Sequence, residues 1–309
     1  MTYFIDQPKH SLAAILVSQN TSLVIENIKM PENLFAGQVL VKLHVSGICG
    51  SQIGEIKGSK GKDKYLPHLL GHEGSATVIQ TGPGVKYVKK GDLVVLHWRK
   101  GLGIDSDPPV YQWRGEKLNA GWVTTFNDYA VVSENRCTKI PSTTNHEIAA
   151  LCGCAITTGF GVIENNANVK PGESVVIFGA GGIGLNIIQA ASLTSAWPII
   201  AIDLFDSRLA LAKKFGATSI INVSNIDAAA SINKELKGKQ LDVFIDNTGL
   251  PEIIELGYKI TDKDGRIVLV GVPKIGDDIK IHSLPLHFGK SITGSHGGES
   301  KPEKDIPRY

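Results

Sequence analysis

From residue 155 onward the chain alternates apolar runs of strand length with helix-like stretches, a pattern that leaves few folds open. The runs cover residues 174–178, 197–203, 218–223, 242–246 and 266–271, and the stretches between them cover 182–193, 206–215, 228–236 and 251–260. Strands without polar alternation are buried on both faces, so the pattern predicts a doubly wound parallel sheet covered by helices. Residues 291–294 offer a sixth strand. The first half reads differently. Residues 12–17, 22–28, 39–45, 74–81, 92–96 and 128–132 carry β-branched side chains between Gly, Pro, Asn or Lys-rich breaks, and helical periodicity is scarce there. An α/β chain of two domains follows: a β-rich domain over 1–155, a doubly wound domain over 156–294, and a tail over 295–309.

Composition narrows the function classes. With 32 Lys and Arg against 30 Asp and Glu, the net charge is +2, which gives no electrostatic case for nucleic acid or an anionic membrane as partner. Apolar residues at 42% and charged residues at 20% exclude a disordered chain. No apolar run approaches membrane-span length. Asp6 and Lys9 interrupt the N-terminus where an export signal needs an apolar stretch, and four cysteines in 309 residues make no disulfide scaffold. A reducing, cytoplasmic location is expected. The 34 glycines, about 11% against a usual ~7%, punctuate apolar runs rather than forming a linker.

The densest glycine cluster follows the first strand of the second domain. Gly179-Ala180-Gly181-Gly182-Ile183-Gly184 is a G-x-G-x-x-G opening a helix. Gly179 allows the tight turn, Gly181 the approach of a pyrophosphate to the backbone, and Gly184 close packing of helix on strand. Gly182 and the following residues supply the helix N-terminus, whose N–H groups and dipole suit phosphates. The next strand ends in Asp203, 19 residues beyond Gly184, the spacing of a ribose-binding acid. Strand, turn, helix, strand and acid in order predict a dinucleotide site. The bland alternative is a glycine-rich turn in a crowded core, with Asp203 as a surface cap.

Three side chains of the types zinc prefers stand in glycine-flanked segments: Cys49 in Gly47-Ile48-Cys49-Gly50-Ser51, His72 in Gly71-His72-Glu73-Gly74, and Cys154 in Gly153-Cys154-Ala155. Three protein ligands with an open fourth position are the pattern of a catalytic zinc. By spacing alone a buried cysteine is as readily apolar filler and a single histidine a satisfied polar residue, so the trio stays open at this point.

These segments, with Gly153-Cys154-Ala155-Ile156-Thr157-Thr158-Gly159 and the 179–184 loop, resemble in order the zinc-containing alcohol dehydrogenases of the medium-chain dehydrogenase/reductase superfamily. The resemblance runs over nearly the whole chain. It implies a GroES-like catalytic domain, a Rossmann domain binding NAD, a zinc in the cleft between them, a small alcohol or carbonyl substrate, and a homo-oligomer, dimer or tetramer. Cys49, His72 and Cys154 would be the zinc ligands, with Glu73 behind the metal. Ser51 would be the first hydroxyl of a proton relay. Thr158, Ile183, Val270 and Val272 would meet the nicotinamide, and Asp203 the adenosine ribose with Arg208 beside it.

The sequence departs from that family in three places. The four-cysteine lobe of a structural zinc has no counterpart; Cys137 is the sole cysteine between His72 and Cys152, and Trp98, Trp113 and Trp122 occupy the corresponding stretch. One zinc is expected rather than two. Gln52 follows Ser51 where the family usually has Asp, and Gly54 stands where many relatives place a relay histidine. The family continues into a helix and strands returning to the catalytic domain, which residues 295–309 would only begin. Two rival readings stay beside the dehydrogenase: a zinc-free enone or quinone reductase of the same superfamily, and a zinc- and nucleotide-binding redox sensor in which Cys152 closes the metal shell. An extended 152–154 segment would point Cys152 and Cys154 to opposite sides, against the sensor.

Overall fold

The computed structural model describes residues 2–4, 8–59 and 61–309. The chain divides into two units, Met1–Cys154 with Lys301–Tyr309, and Ala155–Ser300. Asp6, weighed above against an export signal, lies outside the described residues.

In the first unit the strand Gln38–Ser46 is the second of an antiparallel five-stranded sheet centred on Glu73–Thr81. It pairs with Tyr129–Ser133 on one side and Glu73–Thr81 on the other, and Leu93–His97 and Cys137–Lys139 continue the sheet. Val39, Val41, Ala76, Val78, Val94, Leu96, Ala130 and Val132 form one apolar cluster on it. A second sheet runs Glu116–Leu118, Tyr111–Trp113, Val24–Lys29, His10–Leu16 and His68–Leu69. Its strands bury Ile15, Ile28, Leu69, Leu118 and Tyr111.

Short helices interrupt this unit, among them α1 over Gly50–Ile56 and α2 over His146–Leu151. Neither has the length at which apolar periodicity becomes visible in a sequence. Local hydrogen bonds define them instead. Gln52 at the third position of α1 accepts the Cys49 N–H, and Asn145 caps α2 by accepting from Glu147 and Ile148.

The second unit holds a six-stranded parallel sheet in the order Ser219–Asn222, Ile199–Asp203, Val175–Phe178, Val243–Asp246, Arg266–Leu269 and Ser291–Gly294. By sequence that order is 3-2-1-4-5-6, the dinucleotide-binding arrangement, with the first strand beside the fourth. The chain begins this unit with α3, Ala155–Gly161, which packs on α4, Gly182–Leu193. Helices Ala228–Leu236 and Pro251–Ile260 have the bounds expected from the sequence, and Asp206–Lys214 stops one residue earlier than expected. Residues 295–300 belong to this unit, and only Lys301–Tyr309 belongs to the first. The tail expected from 295 therefore starts at 301, because Gly298 backbone lies against Gly161, where a Cβ would stand 2.3 Å from the Gly298 oxygen.

Candidate active site

Cys49, His72 and Cys154 all lie in the first unit and converge. Cys49 is the residue before α1, His72 immediately precedes the strand Glu73–Thr81, and Cys154 closes the turn after α2. Their ligand atoms lie within 4.8 Å of one another. Tetrahedral zinc with Zn–S near 2.3 Å and Zn–N near 2.0–2.1 Å sets its ligands about 3.6–3.8 Å apart, within that limit. His72 Nε2 is buried and has no hydrogen-bond partner, and a buried polar atom left this way is costly unless something binds it. The Cys154 thiol, hydrogen-bonded to the Cys49 sulfur, pulls Cys49 down to about 3 against the opposing effect of burial, with His72 and the Ser51 N–H adding to it. A thiolate is the form that binds metal. The donor set and the Cys49 thiolate fit zinc.

Glu73 is buried and opens its strand. A Cβ on Gly47 would stand 2.6 Å from Glu73 Cδ, and one on Gly153 2.9 Å from Glu73 Cβ. Glycine at both positions lets the segments carrying Cys49 and Cys154 close over this carboxylate. Ser51 is half-buried in the first turn of α1. Gln52, almost wholly buried, reaches across to His72, where its Nε2 donates to Nδ1.

Cys152 stays outside the trio. The 152–154 segment is a helical turn, not extended chain: Cys152 ends α2 at φ −65°, ψ −18°. The expectation of an extended segment is thus corrected, while Cys152 remains a buried thiol pushed up to about 11 by desolvation. It is no part of the group that can hold a metal.

Two features beside His72 carry no signal in the sequence. The Trp98 ring meets His72 edge-on, centroids 6.4 Å apart. A cavity of about 650 Å³ is lined by His72, Gln52, Glu55, His68, Lys117 and Trp122 among others. A larger hollow of about 870 Å³ near Lys29 and Asp107 holds none of the trio. His68, given no role from sequence, gathers with Glu55 and Asp63. Its Nε2 lies 2.7 Å from Asp63 and its Nδ1 2.9 Å from the Leu69 carbonyl oxygen, so both ring nitrogens are already engaged within the cluster.

In the second unit the loop 179–184 joins the first strand to α4. Gly179 has φ +98°, and a Cβ on Gly184 would stand 1.9 Å from the Gly179 oxygen. Cβ atoms on Gly181 and Gly182 would meet nothing within 4 Å, which leaves open space over the N-terminus of α4. Asp203 is buried at the end of its strand. Its Oδ1 accepts from the Leu204 and Phe205 N–H groups at 2.8 and 3.0 Å, and its Oδ2 from the Ala180 N–H at 2.8 Å. Arg208 reaches Oδ2 at 3.5 Å. Thr158 is buried in α3, and Ile183 and Val270 pack on one apolar cluster with the first strand. Val272 is exposed.

Comparison with known proteins assigns the architecture. Residues 36–142 match the alcohol dehydrogenase GroES-like domain, and residues 182–308 the zinc-binding dehydrogenase domain. An S-(hydroxymethyl)glutathione dehydrogenase of Synechocystis sp. is 31% identical, the match covering 88% of this chain and 80% of that protein. The chain belongs to the zinc-binding alcohol dehydrogenases. Among solved structures, benzyl alcohol dehydrogenase from Acinetobacter calcoaceticus superposes with a TM-score of 0.86 at 30% identity, over 97% of this chain and 88% of the other. The 2R,3R-butanediol dehydrogenase of Bacillus subtilis gives 0.74 at 27% identity, over 93% and 84%. This dehydrogenase is accordingly an oxidoreductase with a GroES-like unit and a Rossmann unit, working with zinc and a nicotinamide cofactor. Among the described residues no helix is long and apolar enough to cross a membrane.

Proposed function

We propose that this dehydrogenase oxidises a primary or secondary alcohol, a polyol or a hydroxymethyl-thiol adduct with NAD as acceptor, at one catalytic zinc held by Cys49, His72 and Cys154. The observation that carries the reading is the convergence of those three ligand atoms around the partnerless His72 Nε2. Zinc there would supply Lewis acidity that brings a hydroxyl near it to ionise at neutral pH. NAD would take the hydride.

The chain's own residues do the rest. Cys49 presents a thiolate, and Gln52 and the edge of Trp98 hold the His72 ring in place. Ser51, on the turn that follows Cys49, accepts the hydroxyl proton and passes it toward solvent. The alcohol loses a hydride from its carbinol carbon and a proton from its oxygen, leaving the carbonyl product and reduced cofactor. In the second unit the open N-terminus of α4 receives the pyrophosphate. Thr158, Ile183, Val270 and Val272 serve the nicotinamide end, and Asp203 with Arg208 the adenosine ribose. The carboxylate of Asp203 already accepts three backbone N–H groups, so the long Arg208 contact is the one a ribose hydroxyl displaces.

The relatives' named substrates span a hydroxymethyl-thiol adduct, a diol and an aromatic alcohol, and the mixed lining of Glu55, His68, Lys117 and Trp122 favours the polar ones for this chain. A homo-oligomer in the cytoplasm is part of the same reading; the free cysteines suit a reducing compartment. Metal analysis and turnover test it together. One zinc per chain and NAD reduction with polyols or hydroxymethyl-thiol adducts above benzyl alcohol are expected. Stoichiometric zinc with no alcohol oxidised would sink it.

A further inference from the structure

Gln52 touches two of the three residues of the metal trio through one amide. Its Oε1 accepts the Cys49 backbone N–H at 3.1 Å, and its Nε2 donates to His72 Nδ1. The side chain is 3% exposed, so water does not replace either bond. An amide offers an acceptor at one end and donors at the other. A neutral imidazole that accepts at Nδ1 carries its proton on Nε2. That nitrogen is the buried one with no partner, and the one left to bind metal.

Metal on Nε2 requires the opposite tautomer, with the proton on Nδ1 facing the Gln52 NH₂ group. Turning the amide over relieves that clash and creates another, because the NH₂ group then faces the Cys49 N–H. One amide cannot accept from both. A carboxylate can, having acceptor oxygens at both ends. We propose that Gln52 holds His72 in the tautomer that opposes metal binding, so that this chain binds its metal more weakly than the same chain with a carboxylate at position 52. Gln52 is a positioning residue: it acts through His72 and through the peptide of Cys49. The inference rests on the metal reading of the trio.

The test uses the full-length chain stripped of zinc by a chelator, at pH 8, as wild type and as Gln52→Glu, which keeps the side-chain length. Long-range ¹⁵N–¹H NMR of the His72 ring is expected to place the proton on Nε2 in the wild type and on Nδ1 in the variant. Zinc affinity, measured by competition with a chromophoric chelator, should tighten about tenfold or more in the variant, the usual worth of a group orienting a metal-bound histidine. Ile53→Glu, which adds the same charge at the next, exposed position of α1, is the control for charge alone and should leave the Kd unchanged. A wild-type proton already on Nδ1 overturns the proposal, and so does an unchanged zinc Kd in Gln52→Glu, or a tightening in Ile53→Glu as large as that in Gln52→Glu. The wild-type spectrum decides even where the variant folds poorly. Wild-type chain that binds no zinc at all, or Cys49→Ala that still binds one equivalent, would instead remove the metal reading and leave the tautomer result standing.

Discussion

Ala180 donates its backbone N–H to the Asp203 carboxylate at 2.8 Å, so the glycine-rich turn and the acid at the end of the next strand form one hydrogen-bonded unit. The same carboxylate collects the Leu204 and Phe205 N–H groups that lead into the following helix. Asp203 therefore shapes the loop as well as carrying the charge proposed to meet a ribose. Removing the carboxylate outright disturbs both, and a substitution that keeps an acceptor in place separates them.

NAD is expected to be preferred over NADP. A 2′-phosphate about 5 Å from Asp203 meets a repulsion of roughly 3 kcal/mol per pair of unit charges at an effective dielectric of 20, which screening reduces to about 1–2 kcal/mol, near tenfold in kcat/KM. Arg208 offsets little of this, being half exposed and 3.5 Å away. Asp203→Asn keeps one acceptor oxygen and should narrow the ratio. A wild type that favours NADP, or a ratio untouched by the substitution, removes Asp203 from the ribose role.

Replacing Cys49 or His72 by Ala should abolish zinc binding and turnover while the second unit stays folded. Both ligands belong to Met1–Cys154, and the six-stranded sheet lies wholly within Ala155–Ser300. Zinc content by atomic absorption and protection of the parallel strands by hydrogen exchange are the two readouts. Loss of protection across that sheet would contradict the independence of its core.

Ser51→Ala should lower kcat by about 10²–10⁴, the range of a positioned proton-transfer group, with little change in cofactor affinity. Solvent isotope effects separate this from misplacement of Cys49, because the Ser51 backbone N–H that bonds the Cys49 sulfur is retained in the variant. An unchanged kcat with chemistry rate-limiting means the proton leaves another way.

The second unit was legible because its signals are long and redundant. Strands such as Val175–Phe178 are apolar throughout, and helices such as Pro251–Ile260 begin at proline, so periodicity and end signals agree. Spacing alone left the trio open and the resemblance gave it its reading; the glycines that flank it reflect how tightly Gly47 and Gly153 close on Glu73. The short helices α1 and α2 were not legible, since six or seven residues, set at their starts by Gln52 or Asn145, leave no periodic trace. His68 and Trp98 were also missed. Their places depend on Asp63 and on the His72 ring, contacts that no local pattern announces.

The pH dependence of stability should carry the mark of His97. This ring is fully buried at the end of its strand, where Nδ1 donates to the Arg99 carbonyl at 2.8 Å and Nε2 accepts from the Thr138 hydroxyl at 2.9 Å. Both bonds are those of the neutral ring. Burial pushes its pKa down to about 4 from an ordinary 6.5, the Arg99 carbonyl working against the shift and the Arg136 charge with it. A depressed histidine pKa means that the unfolded chain takes up this proton first. Stability is therefore full above about pH 6.5 and falls as pH drops toward 4, by about 3 kcal/mol for this group. Urea unfolding of wild type and His97→Gln between pH 7.5 and 4.5 checks this. Glutamine is neutral throughout and can make comparable bonds to the Arg99 carbonyl and the Thr138 hydroxyl. The variant should start less stable, and the difference should shrink as pH falls. Parallel curves for the two chains over that range would mean that His97 is protonated in the folded state or takes no part in acid unfolding.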